Sequence, residues 1–248
     1  MQRTPKQENT LKENYKMKTD KTNVGELFDS ISPSYDFLNH FFSLNIDKLW
    51  RKKVVKQLTN KKDKVLDVAT GTCDLAIEII KQDKAKLIVG IDLSEGMLKK
   101  GQQKIDKLKL SNEITLRQED CHSLSFEDNS FDAAVVGFGV RNFRDLDLGL
   151  REINRVLKPK GEFIVLEFSK PRYKIISFFY NLYLNHILPF LGRLFSKHLY
   201  AYSYLPNTIN EFVYGKDFVE RLINAGFEKA EYKEVSFGIA TIYKAVKR

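Results

Sequence analysis

The chain has 248 residues, 43% of them apolar and 12% aromatic, and a formal net charge of +9. That length suits one full α/β domain with additions rather than two independent cores, and the apolar content is enough to bury a core. Two cysteines, Cys73 and Cys121, give neither a disulfide framework nor a CxxC metal spacing, and the four histidines form no spaced metal cluster. No apolar run reaches the length of about 18 residues that a spanning helix needs. The positive balance suits an acidic partner: nucleic acid, anionic lipid, or solubility alone.

Residues 1–23 are polar and Lys-rich and read as a disordered tail. They hold no apolar signal core, and Glu8, Glu13 and Asp20 argue against an organelle transit peptide, so a cytoplasmic location is expected. Residues 24–248 read as one domain. Within it, 24–60 form a helical lid: Leu27, Phe28 and Ile31, then Phe37, Leu38, Phe41 and Phe42, recur at helix spacing. The pattern breaks at Ser32-Pro33 and around Asn45, which gives two or three short helices, then an amphipathic helix Lys48–Leu58. Tyr35 and Asp36 open the second piece as a turn and cap, or as part of a lid over a crevice.

The organising stretch is Lys64–Asp74. Lys64–Ala69 is a short buried strand, Thr70 and Gly71 break it, and Thr72–Lys81 opens an apolar helical face. Strand, Gly turn and helix start are the parts of a nucleotide-type site, where backbone N–H groups face a ligand. A second strand, Lys86–Ile91, ends in Asp92, placed to accept from a ribose diol. Ser94 and Glu95 start the next helix, Glu95–Leu108. A third strand, Ile114–Arg117, leads into Glu119-Asp120-Cys121, whose acids suit a purine edge. A fourth, Phe131–Val136, ends in Gly137-Phe138-Gly139. Three strand ends with acidic or Gly residues point at one crevice. Helix Leu146–Leu157 follows, then a turn at Lys158-Pro159-Lys160-Gly161 and strand Glu162–Phe168. This alternation demands a parallel, doubly wound order with helices on both faces.

Residues 170–204 depart from that rhythm. Aromatic and aliphatic side chains crowd them, among them Phe178, Phe179, Tyr180, Tyr183 and Phe190, with Lys170, Arg172, Lys174, Arg193 and Lys197 in the flanks. Pro189 kinks whatever helix forms. The insertion reads as a cap on the sheet, or as the wall of an apolar substrate pocket or a membrane-surface helix. The remainder returns to order: helix Gly215–Ala225 stopped by Gly226, then strands Glu228–Ser236 and Ile239–Val246 joined at Phe237-Gly238 as an antiparallel hairpin.

Val65–Asp74, Gly90–Leu98 and the loop before Leu124 resemble motifs of class I methyltransferases, a Rossmann-like fold whose sheet ends in such a hairpin. Three stretches narrow the resemblance: Tyr35-Asp-Phe-Leu-Asn39 with Ser43 and Trp50, Phe138-Gly-Val-Arg-Asn142, and Arg155–Ser169. They resemble the menaquinone/ubiquinone biosynthesis C-methyltransferases, from about Val24 to Lys244. Departures exist: Ala69 and Cys73 take positions where the family usually has Gly, Asp47 stands for a His, Lys160 for a Gly, and Gly137 for a frequent Ser.

The resemblance implies methyl transfer from S-adenosylmethionine to a ring carbon of a polyprenyl hydroquinone, most simply demethylmenaquinol to menaquinol, with a benzoquinol as the alternative. By family match Thr72, Asp92, Asp120 and Cys121 contact the cofactor, in the crevice that Gly71 and Gly137 help to form. Asp92 would hold the ribose, Asp120 and the Cys121 backbone the adenine, and Thr72 the amino-acid end. Arg141 is the candidate cation for a quinol oxyanion, or else an ion-pair partner of Asp145 or Glu167. The implied partners are the quinol and a membrane surface, not nucleic acid. RNA methylation fits poorly because the basic residues are scattered, and a dehydrogenase lacks its full GxGxxG. A non-catalytic membrane-surface scaffold stays open, and the oligomeric state is not legible.

Overall fold

The computed structural model describes residues 21, 24–33, 35–43, 45–183 and 199–248. Apolar, largely β-branched runs form a seven-stranded sheet: β1 (Lys62–Val68), β2 (Ala85–Asp92), β3 (Ile114–Gln118), β4 (Phe131–Gly137), β5 (Leu157–Phe168), β6 (Phe227–Val235) and β7 (Ala240–Lys247). Their order is β3-β2-β1-β4-β5-β7-β6. β1 to β5 pair in parallel, and β7 lies antiparallel between β5 and β6. The doubly wound sheet with an antiparallel C-terminal hairpin is therefore the observed one.

Period-two alternation divides the core between the two faces. Leu66, Val68, Ala134, Val136, Phe163 and Val165 point one way, under α6 (Leu146–Val156) and α9 (Lys216–Asn224). Val65, Ala133, Val135, Ile164 and Leu166 point the other, under α3 (Ile46–Val55), α4 (Asp74–Lys81) and α5 (Glu95–Leu108). Helices α1 (Val24–Ile31) and α2 (Tyr35–Phe42) precede α3, while α7 (Lys174–Leu182) and α8 (Leu199–Glu211) follow β5.

Four expectations are corrected by local geometry. The helix expected from Thr72 starts at Asp74, because Cys73 sits in the left-handed region at φ 68°. The amphipathic helix expected over Lys48–Leu58 runs from Ile46 to Val55. The turn at Lys158–Gly161 is an excursion within β5: Phe131 pairs with Leu157 and Ala133 already with Glu162. Lys160 takes the left-handed conformation there, φ 61°, at the position where the family resemblance expects Gly. Finally, a second helix, α8, extends past Tyr204, where no element was expected, and holds Pro206 within it. The expected tail, apart from Lys21, and the expected kink at Pro189 lie outside the described residues.

Candidate active site

Strand order reverses between β1 and β4, and a crevice opens at such a switch point, beyond the carboxyl ends of the strands. Gly71, Asp92, Asp120, Cys121 and Gly137 line it, as do Lys21, Phe28 and Tyr35 from the lid side. Thr72 and Arg141 are not part of that wall.

The loop after β1 makes three left-handed steps, Ala69 at φ 52°, Gly71 at φ 56° and Cys73 at φ 68°. A Cβ at Gly71 would meet nothing within 4 Å, so backbone conformation rather than space calls for glycine there. Ala69 and Cys73 adopt the same conformation at a steric cost. Asp67, near the end of β1, accepts from Thr70 Oγ1 at 2.7 Å, while its Oδ1 has no partner among the described residues. Burial pushes this carboxyl up to about 7.

Asp92 faces the loop. Its Oδ2 accepts from the Gly71 N–H at 2.8 Å and its Oδ1 from the Ser94 N–H at 2.9 Å. The Gly71 N–H, expected to face a ligand, is thus spent on Asp92. Burial raises the Asp92 pKa despite these donors. The N-cap of α5 is Ser94, whose Oγ accepts from the Met97 N–H at 3.1 Å. Asp92 thus stands at the cavity wall with its carboxylate tied to backbone donors and some acceptor capacity left. At the other end, Asp120 accepts from the His122 backbone N–H at 2.9 Å and pairs with the His122 ring. Burial alone would raise Asp120; His122 and then Arg144 outweigh it and hold the carboxyl below its ordinary value. Burial pushes the Cys121 thiol up, so it stays protonated.

Helices α1 and α2 are pinned to the loops around the crevice by carboxylates. Asp29 on α1 accepts from Ser94 Oγ at 2.6 Å and from the Gly96 N–H at 2.8 Å. Asp36 on α2 accepts from Thr72 Oγ1 at 2.5 Å and pairs with Lys104 Nζ at 2.7 Å. Lys104 also holds Asp74, at 2.6 Å. The Thr72 hydroxyl, expected at the amino-acid end of a cofactor, is thus turned to Asp36 and Lys104. His40, Asp47 and Asp74 could converge on a metal ion, but Arg51 and Lys104 already pair with these carboxylates.

Arg141 is buried behind Phe138. Its Nη1 donates to Glu167 Oε1 at 2.8 Å and to the Phe138 carbonyl, and its backbone N–H donates to Glu167 Oε2 at 3.2 Å. The ion pair read from sequence is made with Glu167 rather than Asp145; Arg141 Nε has no partner among the described residues. Sequence reasoning passed over Lys21, Asp29 and His122. Lys21, placed in the tail, donates to the Phe143 carbonyl at 3.2 Å on the cavity wall. Asp29 bonds residues 65 and 67 positions away, so nothing local signals it.

A family model described as the ubiE/COQ5 methyltransferase family matches residues 16–247. A demethylmenaquinone methyltransferase of Bacteroides fragilis is 43% identical over 225 residues, 90% of this chain and 92% of that one. A ubiquinone/menaquinone biosynthesis C-methyltransferase UbiE of Geobacter sulfurreducens is 40% identical over 90% of this chain and 88% of its own length. Among solved structures, the [4+2]-cyclase SpnF superposes with a TM-score of 0.67 at 19% identity, covering 92% of this chain and 96% of that one. A possible histamine N-methyltransferase of Thermotoga maritima gives 0.63 at 16% identity, over 91% of this chain and 100% of its own. At such identities the structures speak to the fold alone, that of S-adenosylmethionine-dependent methyltransferases. The sequence match runs through both the lid and the sheet, and the chain belongs to the ubiE/COQ5 methyltransferase family.

Proposed function

We propose that this protein methylates a ring carbon of a polyprenyl hydroquinone, turning demethylmenaquinol into menaquinol with S-adenosylmethionine as methyl donor. The observation that carries this reading is the 43% identity, across 90% of the chain, to an enzyme named demethylmenaquinone methyltransferase. The cavity fits the cofactor's chemistry: a carboxylate with some acceptor capacity left at one end, an acid held ionised at the other, and a glycine turn between them. When bound, S-adenosylmethionine would supply an electrophilic sulfonium methyl, its carbon–sulfur electron pair staying on sulfur while the methylated ring carbon gives up its proton to water.

The chain's own residues do the rest. Asp92 holds the ribose diol, while Asp120 and the Cys121 backbone face the adenine. Gly71 and Gly137 let the main chain approach closely. Thr72 supports the amino-acid end through Asp36 and Lys104 rather than by direct contact. Arg141 stabilises the quinol oxyanion that makes the ring carbon nucleophilic, with its Nε–H as the free donor. Alignment of the two reactants provides most of the remaining rate. Helix α7 meets the membrane that stores the prenyl substrate: Ile175, Phe178 and Phe179 are 75%, 65% and 62% exposed.

Calorimetry with S-adenosylmethionine, followed by turnover on demethylmenaquinol and on a benzoquinol counterpart, tests the reading. Asp92→Ala is expected to weaken cofactor binding by about 1–3 kcal/mol. Unchanged affinity in the folded variant would remove Asp92 from the cofactor site. Turnover of the benzoquinol alone would reassign the substrate.

A further inference from the structure

His122 lies in the loop after β3 and stands beside Asp120 on the cavity wall. Its ring is buried and packs edge-on against Phe143, with the ring centres 6.0 Å apart. At one end of the ring, Nε2 lies 3.1 Å from the backbone nitrogen of Asp145, the N-cap of α6. At the other, Nδ1 bonds Asp120 Oδ1, which also accepts from the His122 backbone N–H at 2.9 Å. One imidazole thus joins the loop that carries Asp120 to the start of α6.

A backbone N–H can only donate, so Nε2 is bare and accepts. The neutral ring then carries its proton on Nδ1 and donates it to Asp120. Oδ1 is therefore filled by two donors of one residue. Oδ2 faces Arg144 Nη2 at 3.8 Å, beyond hydrogen-bond length, and is the oxygen left for a donor from the cavity. A carboxylate turns about a broad, two-fold torsion, and the Nδ1–H fixes which oxygen is offered. Asp120, Cys121 and His122 also lie close enough together to share a metal ion. The proton on Nδ1 takes the lone pair that a metal would use, and burial keeps the Cys121 thiol protonated.

We propose that His122 is a positioning residue of the cofactor site: as the neutral Nδ1–H tautomer it holds Asp120 so that Oδ2 accepts from the exocyclic amine of the base. The proposal rests on the S-adenosylmethionine reading and adds to it the residue that makes the site select adenine. A base with a carbonyl in place of the amine would set one acceptor against another, with no proton between them. Phe at this position would keep a ring against Phe143 but leave Asp120 free to turn. Asn would put an amide where Nδ1 stands and keep the donor to Asp120.

The test is calorimetry with S-adenosylhomocysteine and with S-inosylhomocysteine, which carries a carbonyl where adenine has its amine. The wild type is expected to prefer the adenosyl ligand by about tenfold or more. His122→Phe should cut that preference to about threefold or less by weakening the adenosyl ligand, with the inosyl ligand unchanged within about twofold. His122→Asn should keep most of the preference. In an Asp120→Asn background, His122→Phe should change adenosyl affinity by less than about twofold, because it acts through Asp120. Ring nitrogen NMR of the wild type, which has four histidines, should show His122 protonated on Nδ1 and bare on Nε2. An unchanged preference in folded His122→Phe, additive losses with Asp120→Asn, or a proton on Nε2 overturns the proposal. If His122→Phe does not fold by thermal melting, the ring tautomer and the His122→Asn preference decide. If the wild type binds neither ligand, the cofactor reading fails and this proposal with it; if only the His122 comparisons fail, the cofactor reading stands.

Discussion

Asp67 and Asp92 stand at the ends of adjacent strands, and burial raises both carboxyls, Asp67 from an ordinary 3.8 to about 7. The native state therefore keeps a proton on Asp67 that the unfolded chain releases near pH 4. Stability should fall as pH rises from about 4 to about 7, and this contribution should level off above that. Asp67→Asn has no proton to lose and is expected to flatten that slope, gaining a few kcal/mol over wild type above about pH 7. Urea melts of both proteins at about pH 5 and about pH 8 measure it; parallel curves would mean that Asp67 stays ionised in the fold. Arg141 calls for a different design. Glu167 is fully buried beside it, so Arg141→Ala should cost about 3–5 kcal/mol by stranding a charge. Pairing Arg141→Met with Glu167→Leu should recover most of that stability, yet leave turnover down by roughly a hundredfold. Wild-type turnover in the double variant would confine Arg141 to the ion pair. Asp92 and Asp120 were legible because an acid at a strand end needs only the strand's period to be placed. The direction of Thr72 was not, because Asp36 and Lys104, distant in sequence, decide it; for Arg141 the sequence offered Glu167 but could not choose it over Asp145.

Carboxylates tie α1 and α2 to the loops around the cavity, and Asp29 is the simplest to remove. Its Oδ1 serves Ser94 Oγ and the Gly96 N–H, so it ties α1 to the first turn of α5 and satisfies a helix-start donor as a second cap. Val24, Gly25 and Phe28 of that helix line the cavity. Asp29→Ala should therefore weaken S-adenosylmethionine binding by about 1 kcal/mol, with little change in the global melt, because the core clusters under the sheet are untouched. Wild-type affinity by calorimetry would show that apolar contacts alone dock α1. At this scale the sequence was readable wherever one face of a strand or helix met the core. The alternation in β1, β4 and β5 and the Ser94 cap are local signals, and α5 runs over the expected Glu95–Leu108. The excursion in β5 was harder: Lys158-Pro159-Lys160-Gly161 has turn chemistry, but pairing with Phe131 through Leu157 carries the strand back past it. Helix α8 escaped because Pro206 argues against a helix in sequence, whereas Ile209 anchors it in the fold against Phe168 and Tyr180.

For the whole molecule the open question is how a water-facing cavity meets a substrate with an insoluble prenyl tail. No described helix is long and apolar enough to cross a membrane. What the molecule offers instead is a net charge of +9 and a short helix, α7, whose Ile175, Phe178, Phe179 and Leu182 are exposed. Tyr183 differs from them: half-buried, it packs against Ile209 and belongs to the interior. An exposed apolar helix face on a cationic protein suits the headgroup boundary of an anionic bilayer, where apolar side chains enter and lysines stay at the surface. Replacing Ile175, Phe178 and Phe179 together with Ser should therefore reduce co-sedimentation with anionic vesicles. Activity on a long-tailed quinol in those vesicles should fall with it, while activity on a short, soluble analogue changes by less than about twofold, since the exposed face carries little packing energy. Binding by the wild type should also weaken as salt rises, because part of the attraction is charge. If both substrates suffer equally and vesicle binding persists, the three side chains serve the fold rather than the membrane. If vesicle binding is lost but long-tailed turnover is not, the quinol reaches the cavity by a route that does not cross α7.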